Sequence, residues 1–183
     1  MLFRSGWCLV AITATFRQQI GTAKTVKSSA GDGTITLASL ANGSYRQSTK
    51  VDLGATFARE YRVVLNLEFA ATPTNGNYVT VWANGSSSAT AATDNRANCS
   101  GSDQAYTGYS SNASASVEHL QFVGQNKVTA QATATVQSIE LGVWCPVARY
   151  NSFVILNSSG AAIHSSDANC VLTLSPVEGT GEA

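Results

Sequence analysis

The sequence contains few charged residues and few of the side chains that build metal or catalytic sites. Asp, Glu, Lys and Arg make up 12% of the 183 residues, roughly half the usual share. The two histidines, His119 and His164, have no neighbours that would supply the three or four convergent ligands of a metal site. The four cysteines include no Cys-x-x-Cys pair, so zinc is not expected. We therefore predict no metal and no cofactor.

Motifs for nucleophilic or phosphate chemistry are also missing. The Ser-Gly-Ser-Asp sequence at residues 100–103 lacks the Gly-x-Ser-x-Gly context of a nucleophile elbow, and no glycine-rich phosphate loop occurs. Asp94, Asp103 and Glu118 could converge as a paired-carboxylate or calcium site. Their spacing demands neither, and solvated loop charges account for them. The prediction is a protein that is not an enzyme and has no catalytic residue.

Long apolar runs and a net charge are absent as well. No run reaches the ~18–20 residues that span a bilayer, and the net charge is zero, so neither membrane nor nucleic acid is an expected partner. Residues 1–12 faintly resemble a signal peptide without a clean cleavage site, and we expect a soluble, uncleaved chain. Residues 1–50 carry six cations and one acid, a net of +5 on an acidic remainder. This basic segment is either a solvated surface or a docking region for an acidic neighbour.

Alternation of apolar and polar residues is the main structural signal. Between residues 61 and 69 the apolar side chains fall on one face of an extended chain, as in a half-buried strand. A turn at Asn75-Gly76 and a second strand at residues 78–83 follow, which predicts a β-hairpin. Residues 128–136 alternate in the same way, and their valines and alanines are expected to point inward.

The rest of the chain predicts further strands and no helix of useful length. The additional strands are expected at residues 34–37, 44–53, 117–123, 149–156 and 170–174, with a turn at Gln125-Asn126. Roughly eight to ten strands indicate an all-β, two-sheet antiparallel sandwich, with a jelly-roll-like topology favoured and an immunoglobulin-like one as the alternative. The predicted organisation is an extended N-terminal arm or edge segment at residues 1–33, a sandwich at 34–176 and a tail at 177–183.

One long segment, residues 85–115, consists mainly of small polar residues. Loops longer than ~12–15 residues are uncommon in compact domains and are often functional. This one contains Tyr106 and Tyr109, which either belong to a contact surface or pin the loop to the body. The sequence leaves both possibilities open.

Three stretches resemble small structural proteins of tailed bacteriophages: residues 52–61, residues 100–109, and residues 133–137 followed by 146–150. The similarity covers about residues 30–176, and its motifs are typical of a fold rather than of catalysis. The resemblance implies a virion component assembled in the host cytoplasm, in first place a capsid cement (decoration) protein and otherwise a tail, neck or fibre attachment. It supplies no active-site residues.

A virion role would make the major capsid protein or other virion proteins the partners. The candidate contact residues are Phe3, Trp7 and Arg17 in the arm and Tyr106 and Tyr109 in the loop. The long loop, the arm and the alanine-lined segment also suggest a homo-oligomer, with a trimer favoured over a dimer because capsid attachments commonly sit on three-fold axes.

Two questions stay open at the level of sequence. A carbohydrate-binding module is the alternative function, with Trp82, Tyr106 and Tyr109 as stacking platforms for sugar rings, provided that Trp82 faces solvent. The pairing of Cys8, Cys99, Cys145 and Cys170 cannot be chosen from spacing. Cys145 and Cys170 fall on predicted strands and could be buried thiols.

Overall fold

The computed structural model describes residues 21–177, which form a two-layer β-sandwich. The prediction of an all-β fold is confirmed, because helix is limited within this range to α1 (Ala113–Ser116) and a 3-10 turn (Val117–His119). No helix of the described residues has the length and apolar character needed to cross a membrane. The arm residues Phe3, Trp7 and Arg17 lie outside the described range, as does Cys8.

The first sheet has the strand order β2-β1-β11-β5-β9. Its strands are β1 (Lys24–Lys27), β2 (Gly33–Thr34), β5 (Tyr61–Leu67), β9 (Gln137–Trp144) and β11 (Val171–Pro176). Neighbouring strands are antiparallel except for the parallel pair β1 and β2. Residues 24–34 therefore contribute two strands to the sandwich: β2 is at the edge of the sheet, and β1 pairs with both β2 and β11. The extended arm or edge segment proposed for residues 1–33 stays a prediction.

The second sheet has the order β7-β3-β10-β6-β8, and β4 also pairs with β10. Its strands are β3 (Ser44–Gln47), β4 (Val51–Asp52), β6 (Tyr78–Ser86), β7 (Gln104–Ala105), β8 (Gln121–Lys127) and β10 (Tyr150–Ser158). The continuous strand predicted at residues 44–53 is wrong. It breaks between β3 and β4, where the Ser48 side chain accepts a hydrogen bond from the Phe153 amide at 2.8 Å.

Large aliphatic and aromatic side chains fill the space between the sheets. The alternation in β5 is confirmed, because its four apolar side chains from Tyr61 to Leu67 are fully buried. Trp144 packs between Tyr61 and Phe153, with ring centroids 6.1 and 5.3 Å away. Its indole Nε1 donates to Gln121 Oε1 at 3.0 Å, which joins the edge strands β8 and β9 of opposite sheets.

The predicted hairpin between residues 61 and 83 is wrong, although both of its strands exist. β5 pairs with β11 and β9 in the first sheet, whereas β6 pairs with β10 and β8 in the second. The connection between them crosses from one sheet to the other. Placing the two strands on opposite sides of one core lets each bury its apolar face against the other sheet.

The predicted strand at residues 128–136 is also wrong. Val128 is buried, but residues 132–136 are exposed, and Ala134 has a positive φ of 56°, which a strand does not allow. Alanine and threonine side chains bury little apolar area, so packing one face of this segment into a sheet would gain little free energy. The segment is held instead by Gln137, whose amide group bonds to the Thr129 carbonyl at 2.7 Å and the Thr129 N–H at 3.0 Å.

The strand predicted at residues 117–123 and the turn at Gln125-Asn126 are displaced in the structure. The 3-10 turn occupies the first part, and β8 runs from Gln121 through both predicted turn residues. β8 lies close to β9 because Gly124 packs against the Leu141 backbone, where a Cβ would have no room. The shifted register turns Phe122 outward, and 58% of its surface is exposed.

Candidate functional site

Three aromatic rings lie next to one another on the outer face of the second sheet: Tyr45 of β3, Trp82 of β6 and Phe122 of β8. The ring centroids of Tyr45 and Trp82 are 6.2 Å apart, and those of Trp82 and Phe122 are 6.5 Å apart in an edge-to-face arrangement. We call these three residues the aromatic surface. Tyr78, on the same face of β6, is 39% exposed and lies beyond the three rings.

The direction of Trp82 follows from the alternation of its strand. Val81 and Ala83 are buried in the core, so Trp82 points to the opposite side. There it is half-buried, and Phe122 lies opposite it across the strand pair. Rigid strands thus present aromatic rings to the outside with little freedom left to lose, which is the property of an anchor in a binding surface.

The rest of this sheet face is covered by the long loop between β6 and β8. A second hydrophobic cluster forms there from buried Cys99, Tyr106, Val117 and Val154. Tyr45 and Trp82 of the aromatic surface pack against this cluster, so both rings are partly covered. Tyr106 is 3% exposed, and its hydroxyl donates to the Ala97 carbonyl at 2.7 Å. Tyr106 therefore pins the loop to the body and offers no surface to a partner or a sugar ring.

Tyr109 is the exposed aromatic residue of this loop. Its side chain is 53% exposed and stands edge-to-face against His119 at a centroid distance of 6.2 Å. The Tyr109 amide donates to Ser116 Oγ at 2.8 Å, which fixes the backbone but leaves the ring accessible. Of the two loop tyrosines predicted as contacts, only Tyr109 remains available.

The carboxylates considered as a catalytic or calcium site have separate partners. Asp94 accepts the Ser87 amide at 2.6 Å and is exposed. Asp103 accepts from Arg46 Nη2 at 2.7 Å and from the Thr36 hydroxyl at 2.6 Å. Burial opposes the ionisation of Asp103, yet the bonds from Arg46 and Thr36 hold its pKa below the usual value. Within residues 21–177 no three His, Cys, Asp or Glu side chains are grouped to hold a metal ion.

Several cations of the basic segment are bound within the protein. Lys24 pairs with Asp32 at 3.1 Å and Arg46 with Asp103, while the Lys50 ammonium contacts oxygens of the long loop. These three charges serve the fold. Docking on an acidic neighbour can therefore draw on fewer cations than the sequence total suggests.

Two of the three cysteines described are buried. Cys99 and Cys170 carry free thiols, and burial raises the pKa to about 12 for Cys99 and to about 11 for Cys170. The expectation of a buried thiol is confirmed for Cys170. It is wrong for Cys145, which is exposed because it follows the last residue of β9 where the chain turns at Pro146.

Sequence reasoning identified Trp82 but missed Tyr45 and Phe122. The sequence pattern predicts Phe122 in a strand at residues 117–123, whereas β8 begins at Gln121. Tyr45 belongs to a short polar strand with a weak pattern. The outward position of Trp82 is the available signal, since a tryptophan on the outer face of a strand favours aromatic neighbours across the sheet.

Comparison with protein-family models, with curated proteins and with solved structures gives no match for this chain.

Proposed function

We propose that the chain is a non-enzymatic structural protein of a tailed-bacteriophage particle, most specifically a cement protein that binds neighbouring capsid subunits. The observation that carries the proposal is a juxtaposition. Residues 100–109, one of the phage-like stretches, form part of the loop beside the aromatic surface. The stretch contributes Tyr106, which is buried and holds the loop to the body, and the exposed Tyr109.

The mechanism follows from where binding energy is available. Rings held on strands lose little conformational freedom on binding, so more of their burial energy goes into affinity. A protein that binds the assembled shell and not its free subunits shifts the equilibrium toward the shell. The contact surface proposed here consists of Trp82, Phe122 and Tyr109, and the arm residues Phe3, Trp7 and Arg17 stay predictions.

The test is reconstitution on particles that lack this protein, followed by localisation with electron microscopy. The variant Trp82→Ala/Phe122→Ala should lose binding to the particle and its stabilisation against heat. Val143→Ala is the matched control, because Val143 is 55% exposed on β9 of the other sheet. Density at a tail or fibre would reject the cement role and keep the structural one. Absence of the wild-type chain from particles would reject both.

A carbohydrate-binding module is the second candidate, favoured by the outward position of Trp82. Aromatic faces on a rigid sheet suit stacking against sugar rings, and Tyr109 lies on the neighbouring loop. Tyr106 drops out of this set because it is buried. A glycan array would separate the candidates: specific binding that is lost in Trp82→Ala favours the module, and an array without signal removes it.

Self-association, as a trimer before a dimer, is part of the virion proposal. The alanine-lined segment no longer supports it, since residues 132–136 are exposed in an irregular loop. The long loop and the aromatic surface remain as support, and a contribution of the arm stays a prediction. Light scattering that gave a monomer at every concentration would remove self-association and leave the particle role to the reconstitution experiment.

A further inference from the structure

The ammonium of Lys50 lies inside a cage of four oxygen atoms. Lys50 Nζ is 2.8 Å from Ser86 Oγ, 3.0 Å from the Ser88 carbonyl, 2.8 Å from the Thr90 carbonyl and 2.6 Å from the Thr93 carbonyl. All four oxygens come from one segment at the end of β6 and the start of the long loop. The segment therefore wraps around a single positive charge supplied by the connection between β3 and β4.

Contacts that do not involve the Lys50 ammonium also hold the cage oxygens in place. Ser86 Oγ also accepts the Ser88 amide at 3.1 Å, which holds the first turn of the segment. Gly101 closes one side, with a positive φ of 65° and no room for a Cβ between Lys50 Cε and the Ala91 carbonyl. A side chain at position 101 would be strained by its φ and would press on the cage.

The number of oxygens exceeds what an ammonium group can hydrogen-bond. Lys50 has three N–H donors for four oxygens, so at least two of the oxygens share one donor or one of them has only an electrostatic contact. Carbonyl oxygens that surround a cation in this way replace its hydration shell, as they do for monovalent ions in channel filters. Burial lowers the pKa of the Lys50 ammonium, and the nearby Asp94 carboxylate acts in the opposite direction by favouring the charged form.

We propose that residues 86–93 form a binding site for a small monovalent cation, in particular a primary ammonium ion, and that the Lys50 side chain is its built-in occupant. The site organises the start of the loop that covers the second hydrophobic cluster. Without the cation, the Ser86 hydroxyl can donate its single proton to only one of the Ser88 and Thr93 carbonyls, which lie 3.1 and 3.2 Å away. Repulsion between the remaining carbonyls then opens the segment. This inference is independent of the proposed function.

The experiment is chemical rescue of Lys50→Ala, which removes the equivalent of a propylammonium group. The variant should lose at least about 4 °C in Tm, since unpaired carbonyls destabilise the fold and ~1 kcal/mol corresponds to ~2–4 °C for a chain of this size. Propylammonium chloride should restore at least half of that loss. Tetramethylammonium chloride at the same concentration, which has no N–H and is larger, should restore none of it.

The matched control is Lys127→Ala, because Lys127 is an exposed lysine at the end of β8. It should keep the wild-type Tm and respond equally to both salts. An unchanged Tm in Lys50→Ala, or equal rescue by both salts, would overturn the proposal.

A measurement on the wild-type protein covers the case in which Lys50→Ala does not fold. Brief acetylation followed by peptide mass spectrometry should modify Lys50 at least about tenfold more slowly than Lys127, because the Lys50 ammonium is bound by the cage. Equal rates of acetylation would overturn the proposal.

Discussion

The carboxylates of Asp103 and Asp167 hold the same short segment, residues 36–38. Asp103 Oδ1 accepts the Thr36 amide at 3.0 Å, and Asp167 Oδ2 accepts the amides of Leu37 at 3.0 Å and Ala38 at 3.1 Å. The segment is not part of a strand, yet Leu37 is fully buried in the core. Two loop carboxylates thus supply the hydrogen bonds that a sheet would otherwise give to this backbone.

Asp103→Asn should destabilise the protein by roughly 2–3 kcal/mol, since it weakens charge-assisted bonds from Arg46 and Thr36 at a site where little of the carboxylate is exposed. Urea denaturation gives the free energy of unfolding. Glu140→Gln is the control, because Glu140 pairs with Arg62 on an exposed face, where ion pairs contribute little. Equal effects of the two substitutions would contradict the role of Asp103.

The acid sensitivity of stability should also depend on Asp103. Burial raises the pKa of this carboxyl, but the bonds from Arg46 and Thr36 outweigh it and leave the pKa lowered. A lowered pKa in the folded state contributes stability that is fully present above the unfolded value of ~4 and is lost as the pH falls through the folded value. Unfolding free energies measured between pH 7 and pH 2.5 should therefore fall more steeply for the wild type than for Asp103→Asn. Parallel curves would count against this assignment.

The two loop tyrosines should respond in opposite ways to truncation. Tyr106→Ala removes a buried ring and should cost about 3–5 kcal/mol of unfolding free energy. Tyr109→Ala removes an exposed ring and should change the unfolding free energy by less than ~0.5 kcal/mol. The same substitution should weaken binding to particles that lack this protein. Thermal denaturation and a binding assay on the same preparations separate the two roles. A stable Tyr106→Ala variant would show that the loop does not depend on this pin.

The irregular segment at residues 128–136 should accept a charge that a buried strand would reject. Ala132→Lys is expected to change stability by less than ~0.5 kcal/mol, because the position is exposed. Val63→Lys places the same charge at a fully buried position of β5 and should prevent folding. Circular dichroism with thermal melting compares the two. Loss of folding in Ala132→Lys would restore the interpretation of this segment as an inward-facing strand.

The part of the fold that could be predicted is the part where local pattern and burial agree. The sequence predicts β5 because large apolar residues at every second position gain enough from burial to fix both the strand and its face. Residues 128–136 show an equally regular alternation, but alanine and threonine gain too little for the pattern to decide the structure. Periodicity therefore predicts a strand only when the alternating side chains are large.

Sheet membership and the candidate site depend on pairings that no local window contains. β5 and β6 are consecutive strands with a turn-rich connection, and the same pattern fits a hairpin or a crossing between sheets. The outward direction of Trp82 was accessible from its neighbours Val81 and Ala83. Its contact with Phe122 required the register of β8 against β6, which is set by tertiary packing.

The placement of β10 and β11 has a consequence for how this protein is made. β10 pairs with β3, β4 and β6, and β11 pairs with β1 and β5, so each sheet receives a central strand from residues 150–176. A ribosome delivers the chain from its N-terminus, and until these last strands emerge neither sheet can close around the core. Until then β5 can pair only with β9, and β6 only with β8. Each of these apolar strands therefore keeps one edge unpaired until residues 150–176 emerge, and unpaired strand edges favour aggregation of the nascent chain.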